Sequence, residues 1–141
     1  MTTRRARQLA MSLCTAIALA GCDPTLPPPP AGSTLTAETI ATRAAPPEHH
    51  FQGVLAGKPV HLLLHECRVY RVEEAAGGNV TWTQVLAGDP YPLPTSCVNQ
   101  SITAEKGGVT AFLGRQAFGA GGCCVGTPEF RTKDGVTWTP R

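Results

Sequence analysis

The sequence predicts an all-β fold: a small antiparallel meander of about eight short strands, closed as a barrel or split as a two-sheet sandwich. Three observations carry this expectation. Short runs rich in Val, Leu, Thr and aromatic residues recur beyond residue 50, with turn residues between them. Fifteen glycines and 13 prolines in 141 residues argue against a helical bundle and for strands, turns and a tether. A hydrophobic content of 42% over this length supports one packed core and excludes two. Closure removes exposed strand edges, which favours the barrel. The α+β alternative places a helix near residues 59–76, bracketed by Lys58-Pro59 and Gly77-Gly78; Val60, Val69 and Val72 count against it.

At the start of the chain, Arg4, Arg5 and Arg7 precede a 12-residue apolar run over 9–20 and then small residues, the layout of an export signal over residues 1–21. That run is too short to span hydrocarbon, which takes about 20 residues. Leu19-Ala20-Gly21-Cys22 resembles the lipobox of bacterial lipoproteins. The resemblance implies cleavage before Cys22, a diacylglycerol thioether on its sulfur, and a lipid-anchored, periplasm-facing place in the cell envelope. Arg4-Arg5 lacks the continuation of a twin-arginine signal and reads as plain charge. Asp23 resembles the residue that holds some enterobacterial lipoproteins in the inner membrane, and leans the expectation that way. Without the three signal arginines, nine basic residues face ten acidic ones. A nearly neutral chain with no basic run has no electrostatic footprint for nucleic acid.

Residues 22–48 read as a lipidated cysteine followed by a proline-rich tether, containing Pro24, Pro27 to Pro30, Pro46 and Pro47 and almost no large apolar side chain. Thr36 is a candidate N-cap for one or two helical turns over 36–44, too short to be stable alone.

The β domain is expected over 49–141. Strands at 51–56 and 60–65 flank Gly57-Lys58-Pro59. Strands at 67–73 and 80–86 flank a loop containing Gly77, Gly78 and Asn79, and symmetric pairing about it sets Tyr70 opposite Trp82 and Val72 opposite Val80. Strands at 98–104 and 109–113 flank Lys106-Gly107-Gly108, and strands at 130–133 and 136–139 flank Asp134-Gly135, the residue pair of a type I′ turn.

Cys67, Cys97, Cys123 and Cys124 are an even set in an exported small domain and read as two disulfides. The strand plan gathers them at one pole, so Cys67 and Cys97 are expected to pair separately with Cys123 and Cys124. No Cys-x-x-Cys occurs, which leaves no thioredoxin-type or cysteine-zinc signature. His49-His50 is a weak metal pair at most. His61 and His65 share a face on a strand but stand roughly 13 Å apart, too far for one ion, so neither a metal nor a cofactor is expected. No Gly-x-Ser-x-Gly is present. Gly119-Ala120-Gly121-Gly122 precedes no helix pattern and no Lys-Ser/Thr pair, and reads as a flexible loop rather than a phosphate cradle. Thr132 to Trp138 resembles the Asp-box hairpin of sialidase-like propellers, one residue short and present once, and implies a hairpin without glycosidase chemistry.

These absences point to a non-catalytic module that binds an envelope protein. The alternatives are a metal or small-ligand binder and an envelope enzyme inhibitor; lipid-anchored periplasmic lysozyme inhibitors share the general plan, an analogy at the level of fold alone. Adaptable contacts are expected away from the disulfide pole, on loops carrying Lys58, Glu74, Asn79, Glu105, Lys106 and Asp134.

Overall fold

The computed structural model describes residues 26–119 and 121–141; the export signal and the Leu19-Ala20-Gly21-Cys22 motif lie outside the described residues. Eight strands form two antiparallel four-stranded meanders. The first sheet holds β1 (His50–Leu55), β2 (Lys58–His65), β3 (Arg68–Glu74) and β4 (Val80–Ala87) in that order. The second holds β5 (Thr95–Glu105), β6 (Gly108–Ala117), β7 (Glu129–Thr132) and β8 (Trp138–Pro140). Their facing sides share a core in which Leu62, Leu64 and Val69 of one sheet meet Val109, Ala111, Leu113 and Phe130 of the other. The all-β expectation holds, with a correction: the meander is a two-sheet sandwich and not the closed barrel that edge removal favoured. The break falls at residues 88–94, where Pro90, Pro92 and Pro94 offer no backbone N–H for a further ladder.

The helical alternative over 59–76 is overturned. Glu66 and Cys67, at φ 48° and 54°, reverse the chain between paired His65 and Arg68, so this stretch is two strands and a tight turn. The turn between β1 and β2 is Ala56-Gly57, which draws Lys58 and Pro59 into β2. Between β3 and β4 the register differs from expectation by two residues: Val72 faces Trp82, Glu74 faces Val80 and Tyr70 faces Gln84. The reversal occupies residues 75–79, closed by Ala75 N–H donating to the Asn79 carbonyl at 2.8 Å. Tyr70 and Trp82 still touch diagonally, ring centroids 4.8 Å apart.

The stretch read as a tether contributes to packing. Helix α1 (Ala37–Ala44) lies against β4 on the outer face of the first sheet, and a 3-10 turn at Pro47–His49 lies against β5 and β2, spanning the two sheets. Thr36 caps α1, its hydroxyl accepting from the Thr39 N–H. Thr39, 1% exposed, donates to Asn79 Oδ1 at 3.0 Å and accepts from the Val80 N–H at 2.9 Å. Trp82 Nε1 donates to the Thr42 hydroxyl. This tertiary docking explains why eight residues, marginal as an isolated helix, form one here.

The disulfide pairing also differs from expectation. Cys67 bonds to Cys97, 30 residues away with Cα atoms 5.4 Å apart, and Cys123 bonds to its neighbour Cys124. The meander plan started every odd strand at the same end and so gathered all four thiols there; in the sandwich, the turn holding Cys67 packs directly against the start of β5, where Cys97 sits. The Cys67 N–H donates to Gln100 Oε1 at 2.9 Å and fixes that approach. Cys123 and Cys124 lie instead in the connection from β6 to β7, tied back where the Val125 N–H donates to the Arg115 carbonyl.

Candidate functional site

The antiparallel order sets the connections at two poles. One pole carries the turn at Glu66-Cys67 with its disulfide to Cys97. The other gathers the Ala56-Gly57 turn, the 75–79 reversal, the Lys106-Gly107 turn and the 133–137 loop. Proximity there is direct: a cavity of about 340 Å³ is lined from both sheets, by Ala56 and Leu55 on one side and Glu105, Gly107 and Lys133 on the other. A second cavity, of about 490 Å³, lies between Lys58, Val60 and Arg71 of the first sheet and Asp134 and Val136 of the second.

All six residues expected to contact a partner map to this end, but they divide by what already holds them. Asn79 is committed to the fold: Oδ1 accepts from the Thr36 N–H and the Thr39 hydroxyl while Nδ2 donates to the Thr34 carbonyl. Glu105 pairs with Arg141 at 2.9 Å and with Arg131 at 3.6 Å. The Arg141 hydrogen bond, foremost, holds its carboxyl below the usual range. Asp134 organises its own loop. Its Oδ1 accepts from the Thr137 N–H at 2.7 Å, the Val136 N–H at 2.8 Å and the Thr132 hydroxyl at 3.0 Å. The two backbone donors hold this carboxyl well below the ordinary aspartate value. Lys58, Glu74 and Lys106 remain, exposed and with side chains that make no hydrogen bond or ion pair among the described residues.

The Asp134 loop corrects a further expectation. Thr132 pairs with Trp138, so five residues, not two, form the connection between β7 and β8, and only Gly135 of the Asp134-Gly135 pair has positive φ (77°). An acceptor at position 134 converts a tight turn into a wider carboxylate-centred loop. The loop also seats Gly135 on the other sheet, where a Cβ would stand 3.0 Å from Val60 Cγ1.

A feature missed from the sequence lies on the outer face of the first sheet. His50 Nδ1 and His61 Nε2 are 3.0 Å apart, with ring centroids at 5.3 Å, and Gln52 Nε2 is 3.4 Å from His61 Nε2. Burial first, and the neighbouring His50 second, push the His61 pKa down. Strand spacing separated His61 from His65, and so it does; the partner comes from β1, where the Ala56-Gly57 turn sets Gln52 opposite His61 and His50 one diagonal away. Counting back from that turn would have revealed it. Among the described residues no three His, Cys, Asp or Glu side chains are placed to share a metal ion. Neither a protein-family model, nor a curated protein, nor a solved structure matches this chain.

Proposed function

We propose that this is a lipid-anchored cell-envelope protein, held by an acylated Cys22, whose periplasm-facing β domain binds a protein partner without catalysis. The observation that carries the binding reading is the unengaged trio Lys58, Glu74 and Lys106 at the pole away from the Cys67–Cys97 bridge. Mixed charges that the fold does not use for its own ion pairs are free to set the orientation and on-rate of a protein encounter. Lys58 and Glu74 stand at strand ends and Lys106 in the turn between β5 and β6, so the backbone needs little ordering and the cost of binding falls on the three long side chains.

The anchor is tested by mass spectrometry of the mature N-terminus, with a diacylated Cys22 expected; an unmodified cysteine or a different start overturns it. The binding face is tested by cross-linked capture from intact envelopes. Lys58→Glu, Glu74→Lys and Lys106→Glu together are expected to abolish a specific cross-linked band without lowering the melting temperature. If Glu66→Lys at the disulfide pole abolishes the band and the triple variant does not, the assignment of the face is wrong.

A further inference from the structure

We infer that His50 and His61 form a two-imidazole site for a divalent transition metal of the copper or zinc class, on the outer face of the first sheet. Imidazole ligands bind at about 2.0–2.1 Å, which places two of them about 3.3 Å apart on a tetrahedral ion and about 2.9 Å apart at right angles on a tetragonal one. The observed 3.0 Å lies between the two. Both residues stand on hydrogen-bonded strands, so a small reorientation of each ring completes the bite while the backbone stays in place.

Two further observations bear on the site. Gln52 Nε2 lies 3.4 Å and 3.5 Å from the two His61 ring nitrogens, over the ring face and off the Nε2 lone pair, so it packs on the imidazole and solvent completes the shell. Without metal, one ring must donate its N–H to the other; with metal, the donating ring carries that proton on its remote nitrogen, so both imidazoles ligate as neutral groups and no proton is released. The other two histidines are engaged elsewhere: His49 Nδ1 faces the Gln100 amide at 3.4 Å, and His65 rests against Trp82 with centroids at 5.2 Å.

The test uses the full chain in detergent with its disulfides intact, titrated with Zn²⁺ by calorimetry and with Cu²⁺ by electron paramagnetic resonance. One ion per chain is expected, with a copper spectrum showing two imidazole nitrogens. His50→Ala and His61→Ala should each weaken binding by more than about tenfold, the lower limit for losing even an outer-shell partner, and His65→Ala should leave it unchanged. The wild-type spectrum decides the matter independently if either variant fails to fold. No saturable ion, a spectrum without two imidazole nitrogens, or unchanged affinity in a folded His50→Ala or His61→Ala chain overturns the site.

Discussion

The two sheets solve the same problem differently. The first packs on the second sheet within and carries α1 against β4 without, leaving its outer face open around His50 and His61, whereas the second presents an open polar face. The consequence is written in their strands. In β2, Leu62, Leu63 and Leu64 are 0%, 0% and 1% exposed, so both alternating faces are dry. In β5, exposed Asn99 and Thr103 and half-buried Ser101 share one face while Ile102 is buried on the other, the pattern of a sheet wetted on one side. A triple leucine in a meander therefore signals that both faces of that strand are dry at this point.

The most severe way to break this contrast is to hollow the covered face. Leu63→Ala should cost about 2–5 kcal/mol, in the range for deleting a fully buried leucine. Ser101→Ala, on the open face of the other sheet, should stay within about 0.5 kcal/mol. Paired urea titrations measure both; equal losses would mean that the outer face at Leu63 is not sealed.

The bridges extend the contrast to covalent links. Cys67–Cys97 joins the sheets across a 30-residue separation, whereas Cys123–Cys124 closes no chain loop. In the chain-entropy picture, replacing Cys67 and Cys97 by Ala should cost about 3–4 kcal/mol. Replacing Cys123 and Cys124 should leave the urea midpoint nearly unchanged, because linking neighbours barely restricts the unfolded chain. Non-reducing peptide mapping should recover these two bridges, and a Cys67 or Cys97 fragment joined to Cys123 or Cys124 would refute the pairing.

A smaller effect is expected at the seam where α1 meets the first sheet. Thr39→Val keeps the volume but leaves the Val80 N–H without its acceptor and Asn79 Oδ1 without one of its donors. The cost should be about 1–3 kcal/mol, with hydrogen exchange rising first at residues 36–44 and 79–80.

What was legible in the sequence follows from how local each signal is. Three hairpins were legible because Gly57, Gly77, Gly78 and Gly107 announce reversals by their own φ requirement, whereas the Glu66-Cys67 turn, with no glycine to mark it, left a helix over 59–76 open. Barrel closure, the partner of Cys67 and the docking of α1 were not legible, since each depends on where the chain goes after Pro94 or on a contact such as Trp82 to Thr42, 40 residues apart. The candidate face was half legible. Turn position correctly marked Lys58, Glu74 and Lys106 as exposed, but a polar residue at a turn is as apt to satisfy the turn as to meet a partner, and Asn79, Glu105 and Asp134 serve the fold.

Asp134 gives the finest test, because its loop belongs to the second sheet yet seats Gly135 against Val60 of the first. Its carboxyl is held below the ordinary aspartate value by the Thr137 and Val136 N–H groups, so the folded state binds this proton less readily than the unfolded chain. Stabilisation from that difference is present above the unfolded value of about 3.9 and is lost as pH falls from there toward the lower folded value. Asp134→Asn keeps an acceptor and removes the titration. The gap in melting temperature between wild type and variant should therefore be widest above pH 5 and narrow as pH falls below 4. Because every other carboxylate is common to both chains, only the carboxylate at 134 contributes to that narrowing, and a gap that stays constant with pH would show that the loop reads shape at this position rather than charge.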